Sequence, residues 1–189
     1  MSDTDTDKMA NARSQAMAQY ASIVEMVSAL RAADDDEAYE AMAQELATTA
    51  GYAVYSDDNG HYYAKVGLAY ENDPDYRYSD EDSAWLACCD YEGLRPDADE
   101  ARRAIEEDAL SVEVRSDWQT VGETLAATEF RILLCTGGPA VQIRGELDEY
   151  LQPSRAWLEC QDWGTPWTQV FDVEQDTLLA YAQCFYFGE

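Results

Sequence analysis

The stretch Phe130-Arg131-Ile132-Leu133-Leu134-Cys135-Thr136-Gly137-Gly138-Pro139-Ala140-Val141-Gln142-Ile143-Arg144-Gly145-Glu146-Leu147 decides the fold. Its first six residues are apolar except for Arg131, which is the length and composition of a strand. Gly137-Gly138-Pro139 then reverses the chain, because Gly and Pro break regular structure. A second arm runs from Ala140 to Leu147. Upstream, Leu110, Val112 and Val114 alternate with Ser111, Glu113 and Arg115, the period-two pattern of a strand. Downstream, Ser154–Gln161 supplies another strand, and Glu174–Phe187 reads as a closing helix with Leu178, Tyr181 and Phe185 on one face.

Working outward to the other end, residues 1–8 read as a polar tail. Met9–Arg31 reads as a helix with Met17, Tyr20, Val24, Val27 and Leu30 at helical spacing, widened by Ile23 and Met26. Core packing is the first use of that helix, and a homodimer contact through residues 9–31 is its rival. A second helix follows to Ala50, with Tyr39, Met42 and Leu46 inward and Gly51 as its stop. Tyr52–Val66 predicts a hairpin about the Asn59-Gly60 turn. Ser79 is placed to cap a helix running through Trp85 to Tyr91. Asp97 opens another, with Ala101, Ala104 and Ile105 inward and an Asp99–Arg103 pair one turn apart. Strand runs bracketed by helices predict an α+β fold, an antiparallel β-sheet packed with N-terminal and C-terminal helices. Divided by sequence, the chain is a tail 1–8, a helical segment 9–50 and an α+β domain 51–189, expected as one compact unit.

Three segments carry a resemblance: Phe130 to Asp148, Gln161-Asp162-Trp163-Gly164-Thr165-Pro166-Trp167-Thr168, and the ending Gln175–Glu189. Together they resemble a small family of proteins, without assigned activity, carried by plasmids, phages and integrative elements. The similarity covers about residues 105–189, with a weaker echo at Tyr20–Val27. It implies mobile-element company. Residues 51–96 are less typical of the family and are the place for adaptation to a particular partner. The overall acidic character is similar to that of antirestriction and anti-CRISPR DNA mimics.

The chain carries thirty-nine Asp and Glu against twelve Lys and Arg, a formal charge of −27 on 189 residues. Small domains usually carry a net charge of magnitude ~2–8, and self-repulsion opposes folding beyond that. A composition 47% hydrophobic and 12% aromatic excludes disorder and places the acid on the surface. Glu71–Asp108 holds fourteen Asp and Glu against four Arg, while Glu25 is the one acid between residues 9 and 33. Direct nucleic-acid binding is opposed, since neutralising phosphates takes Lys and Arg and the chain has two lysines, Lys8 and Lys65. No apolar run approaches the ~18 residues of a membrane span. With no export signal at the start and five scattered cysteines, the expected compartment is the cytoplasm, with Cys88 and Cys89 as reduced packing residues.

The inventory gives catalysis little to work with. His61 is the only histidine, beside the Asn59-Gly60 turn, where a solvent-facing role is the plain expectation. An EF-hand placed on Gly60 puts Tyr55 and Val66 where Asp and Glu are required. No phosphate-binding loop is present, and a glycosidase carboxylate pair cannot be picked out among so many acids. Trp157, Trp163 and Trp167 near Gly164 suggest either a sugar groove or core and turn residues. No catalytic residue, metal site or cofactor is expected, and an enzyme is not.

What remains is a partner. Carboxylates in a ridge can occupy the basic cleft of a nucleic-acid-binding protein or nuclease complex, steered by complementary fields. The expected contact set is Asp34, Asp35, Asp36 and Glu37 with Asp73, Asp75, Asp80, Glu81, Asp82, Asp97, Asp99 and Glu100. On a mobile element the target is a host defence system, restriction or CRISPR. The rivals are an ordinary domain with a halophilic coat, and an inhibitor or adaptor that binds by shape through Trp163–Trp167.

Overall fold

Ile132 faces Ile143 and Leu133 faces Gln142 across the antiparallel pair that the Phe130–Leu147 stretch forms. The structure, a computed structural model, describes residues 3–65, 77–118, 120–122 and 126–188. In chain order its elements are α1 (Asp3–Asp34), α2 (Asp36–Thr49), β1 (Ala53–Ser56), β2 (Tyr62–Lys65), β3 (Arg77–Tyr78), α3 (Glu81–Glu92), α4 (Ala98–Asp108), β4 (Ser111–Arg115), β5 (Glu129–Cys135), β6 (Ala140–Leu147), β7 (Pro153–Gln161), β8 (Thr168–Val170) and α5 (Gln175–Ala182). The fold is α+β. Two compact units divide it, Met1–Val27 with Arg102–Glu189, and Ser28–Ala101, so the boundaries fall inside α1 and α4. That division runs differently from the sequence segments 9–50 and 51–189.

The first unit is built on a five-stranded meander in the order β4-β5-β6-β7-β8, every neighbour antiparallel. Residues 136–139, 148–152 and 162–167 are short connections, residues 116–128 between β4 and β5 a longer one, and each strand pairs with its neighbour in sequence. One face is apolar: Phe130, Ile132, Val141, Ile143, Leu158 and Val170 are buried, together with Leu178 and Tyr181 of α5. Full burial of such aliphatic and aromatic side chains stabilises by ~1.5–3 kcal/mol each. Gly145 makes this face possible. A Cβ there would stand 2.1 Å from the Arg155 carbonyl oxygen and 2.3 Å from the Phe130 ring. The Phe130 ring in turn meets Phe187 at 4.8 Å between centroids.

Several elements depart from the sequence reading. Helix α1 begins at Asp3, inside the residues read as a tail, because early acids suit the positive end of the helix dipole and the alanines that follow favour helix. Its buried stripe is Ala12, Ala16, Ile23 and Val27, with Val24 exposed. Bulk suggested Met17 and Val24, but small residues let a helix approach closely. Ala104 is exposed and Ile105 is the buried residue of α4. Among the described residues Asp99 and Arg103 form no ion pair. α5 stops at Ala182, and Phe187 reaches the core from the turn beyond it. Among the described residues β4 is an edge strand, and Val112 and Val114, with Leu110 just before it, are exposed despite their alternation.

The second unit joins α2, α3 and a three-stranded meander β1-β2-β3. Tyr39, Ala43 and Ala47 pack with Ala32, Trp85, Cys88 and Cys89 in one apolar cluster. The hairpin forms with Ser56 opposite Tyr62. Its connection is longer than an Asn-Gly turn, because the Asp57 carboxylate accepts from the backbone of Asn59 at 2.8 Å and His61 at 2.9 Å. Gly60 has φ +79°, which the turn requires.

Candidate functional site

Three of the twelve acids singled out by sequence are helix caps. Asp35 accepts from Ala38 N at 2.8 Å at the start of α2, Asp80 from Ser83 N at 2.8 Å at the start of α3, and Asp97 from Glu100 N at 2.9 Å at the start of α4. The α3 cap is thus Asp80 and not Ser79, whose hydroxyl donates to Asp80 at 2.9 Å. The Ser83 backbone bond, then the Ser83 and Ser79 side chains, hold the Asp80 carboxyl below its ordinary range. A cap uses one acid. Each of these helices follows it with two more in its first turn: Asp36 and Glu37, Glu81 and Asp82, Asp99 and Glu100. The exposed N–H groups of a helix start favour that charge. All ten of these acids that the structure describes, including Asp34, are exposed. Asp73 and Asp75 lie outside the described residues.

Arg95 brings two of the three clusters together. Its Nη1 donates to Asp36 Oδ1 at 2.8 Å, and its Nε donates to the carbonyls of Ala32 at 3.2 Å and Ala33 at 3.3 Å. Its guanidinium also lies 5.0 Å from the Tyr39 ring centroid. One arginine therefore satisfies the last carbonyls of α1, pairs with the start of α2, and anchors the chain two residues before the α4 cap. Asp80–Asp82 are not drawn into this group. α2 meets the far end of α3 through Tyr39–Asp90 at 3.2 Å and Cys89–Ala43 O at 3.2 Å, and Tyr52, beyond the end of α2, adds a bond to Glu92. At 1.5 Å per residue, Glu81 lies about 12 Å along the axis from Cys89. Counted by sequence, Ser28–Ala101 has nineteen acids against four bases, Arg31, Lys65, Arg77 and Arg95, a net of −15. The remainder has twenty against eight, a net of −12 over a longer length.

The polar face of the large sheet went unread in the sequence. Register aligns Glu113, Arg131, Arg144 and Trp157 across four strands, with Arg115, Glu129, Glu146 and Arg155 beside them. Four of the ten arginines thus share one face. Arg115 and Arg144 hold Glu129 at 2.7 and 2.6 Å, Arg155 holds Glu146 at 3.0 Å, and Arg131 pairs with Glu113. The Arg115 bond, ahead of Arg144, keeps the Glu129 carboxyl below its ordinary range. A cavity of about 300 Å³ opens here, walled by Arg115, Arg131, Arg144, Gln142, Phe130 and Trp167.

Gln142 is 2% exposed, and its Nε2 donates to Glu159 Oε2 at 2.7 Å. Glu159 Oε1 accepts from Trp157 Nε1 at 2.9 Å. Because the amide nitrogen is committed to a carboxylate, the orientation of the Gln142 amide is fixed. Its Oε1 has no hydrogen-bond partner among the described residues, a cost of about 1–3 kcal/mol for a buried acceptor. The period-two polar residues Gln142, Arg144 and Glu146 were the available signal, but register is what gathers them with Arg131 and Trp157.

The three tryptophans do not form one groove. Trp157 stands beside Arg144, 5.7 Å from its guanidinium carbon, Trp167 walls the cavity, and the exposed Trp163 covers Gly138, where a Cβ would stand 2.1 Å from the indole. His61 sits 3.3 Å from Asp57 in the hairpin turn. Among the described residues no three His, Cys, Asp or Glu converge as metal ligands, and no helix is long and apolar enough to cross a membrane. No family model matches the chain, and neither does any curated protein or solved structure.

Proposed function

We propose that Ser28–Ala101 carries an acidic docking surface that occupies the basic cleft of a nucleic-acid-binding nuclease complex and inhibits it. The observation that carries this reading is the surplus of acid over what capping uses. Three helix starts in one unit each hold a capping Asp and two further exposed acids, and Arg95 draws two of those starts together. Duplex DNA carries one charge per ~1.7 Å of axis, so a net of −15 equals the charge on about 26 Å of duplex. A compact chain of this length has a radius of gyration of about 11 Å, or roughly 29 Å across. The charge per length of the unit therefore matches that of the ligand the cleft is built for. Restriction and CRISPR nucleases are the partner class to which the mobile-element resemblance points.

The caps allow a clean test, because they separate acids that hold the fold from acids that do not. Glu37, Asp82, Asp99 and Glu100 have no side-chain partner among the described residues, so their amides should keep the fold and give up only the helix-dipole contribution, ~0.3–1 kcal/mol each. Binding of the purified protein to a restriction or CRISPR nuclease should weaken in that variant, fall with added salt and be competed by duplex DNA. Unchanged binding in the variant, or a protein that binds neither nuclease and folds only in molar salt, would remove the reading in favour of a solvated acidic coat.

A further inference from the structure

We propose that the open edge of β4 pairs with the same edge of a second copy of the chain, so that the large sheet runs on from one copy into the other about a two-fold axis. This goes beyond the acidic docking surface and rests on other residues. A strand at the end of a sheet holds a row of backbone N–H and C=O groups that an added strand can take up. Among the described residues β4 is such a strand, hydrogen-bonded to β5 alone. Its core side is also uncovered. Val112 lies opposite the buried Ile132 and Val114 opposite the buried Phe130, yet Val114 is 48% exposed. Leu110 before the strand and Trp118 after it are more exposed still. Apolar side chains left in line at an edge mark a contact surface.

Charge says what that contact is with. Two chains at −27 repel each other, so they meet best where there is no net charge. Each of β4, β5, β6 and β7 carries one arginine and one glutamate, and β8 carries neither, a net of zero across the sheet. A strongly basic partner gains nothing at such an edge, whereas an identical copy does.

The same charges choose the register. Antiparallel strands related by a two-fold axis set one residue opposite its own copy, and residues directly opposite share a face. An axis at Glu113 brings two like charges together, which is unfavourable. An axis at Val112 sets Glu113 against Ser111 and makes no ion pair. An axis at Val114 sets Glu113 opposite Arg115 of the second copy, and Arg115 opposite its Glu113. Inside its own chain Arg115 pairs with Glu129 and Glu113 with Arg131, and both a guanidinium and a carboxylate have room for a second partner. On the core side Val114 then meets Val114. Carried past the end of β4, this register places Asp117 opposite Ser111 and Trp118 opposite Leu110, so the exposed apolar residues cover one another and no like charges face.

Sedimentation velocity of the full-length protein over a concentration series tests this, with Glu113→Arg and Arg115→Glu as variants and circular dichroism to show that each is folded. The native protein should form a dimer as concentration rises. Glu113→Arg sets arginine against arginine at both junctions, and Arg115→Glu sets glutamate against glutamate, so each variant alone should associate about tenfold more weakly, or less still. An equimolar mixture of the two should dimerise again, because every junction then joins an arginine to a glutamate. Mixing does not repair a folding fault, so this rescue reports the pairing itself. A native protein that is monomeric at every concentration would leave the edge to a strand of another protein and overturn the proposal. Variants that associate as the native protein does, or a mixture that stays monomeric, would overturn it too.

Discussion

Arg95 Nη1 stands 2.8 Å from Asp36 Oδ1 while Arg95 Nε reaches back to the carbonyls of Ala32 and Ala33. This arginine is a joint of the acidic unit: it ties the end of α1 and the start of α2 to the segment leading into α4. The Asp36 pairing is solvent-exposed and adds ~0–1 kcal/mol. The bonds to the helix-end carbonyls leave acceptors unpaired when lost, which costs more.

Arg95→Ala should therefore lower stability by about 1–3 kcal/mol, and Arg95→Lys should recover only part, since an ammonium cannot span both carbonyls and the carboxylate as a fork does. Urea unfolding followed by circular dichroism measures both. A loss no larger than that of Asp36→Ala would show that the carbonyl bonds carry nothing.

Acids at the helix starts should fall into two classes. Asp35→Ala removes a cap and should cost ~0.5–2 kcal/mol, about 2–4 °C of Tm per kcal/mol in a chain of this size. Glu37→Ala, two residues on, should stay within about 0.5 kcal/mol. Thermal unfolding of the two variants side by side decides whether the clusters are structural throughout.

Lowering the pH should loosen the start of α3 only in strong acid. The Asp80 carboxyl is held below its unfolded value by Ser83 and Ser79. Its contribution is thus present above the unfolded carboxylate pKa and disappears as pH falls through the lower folded value. Hydrogen exchange at the Ser83 amide should accelerate relative to the mid-helix amides of α3 only below the ordinary carboxyl value of 3.8. An unchanged ratio would contradict the cap.

Burial raises the Cys88 thiol to about 11 and also raises Cys89. Both thiols favour the neutral form in the folded state, so alkylation at pH 8 should be slow in the native protein and rapid in urea. The same shift means stability from this pair is lost as pH climbs above the ordinary thiol value of 9.0 toward the folded one. Fast native labelling at Cys88 would place it outside the core.

Gly145→Ala sets a Cβ into the Arg155 carbonyl and the Phe130 ring. Overpacking of this kind costs ~1–3 kcal/mol, or more where backbone must move. Gly60→Ala, strained only by its positive φ in an open turn, should cost less. Equal losses would show that the approach of Phe130 to β6 is not tight.

The sheet was legible because Phe130–Leu147 is a pair of strand-length runs about a Gly-Gly-Pro break, and such local pairings depend on neighbouring sequence. The faces were less so. Arg131 read as an interruption in an apolar run, when register makes it one member of a charged row with Glu113 and Arg144. Bulk misled the reading of α1, where Ala12 and Ala16 are buried and Val24 is not. Asp97 was read as the start of a helix and caps α4, whereas Asp80 takes the α3 cap that Ser79 was expected to fill, and which acid of Asp34–Glu37 caps α2 followed only from where that helix begins. The Gln142 amide left no trace in the sequence, since an unpaired buried oxygen exists only once Glu159 has taken its nitrogen.

Affinity for a purified restriction or CRISPR nuclease, measured across a salt series for the native protein and for the variant with Glu37, Asp82, Asp99 and Glu100 as amides, tests the central claim most directly. The account predicts salt-dependent binding competed by duplex DNA, with a shallower salt slope and weaker affinity in the variant, while both proteins stay folded across the series. Equal affinity and equal slope in the two proteins would contradict it.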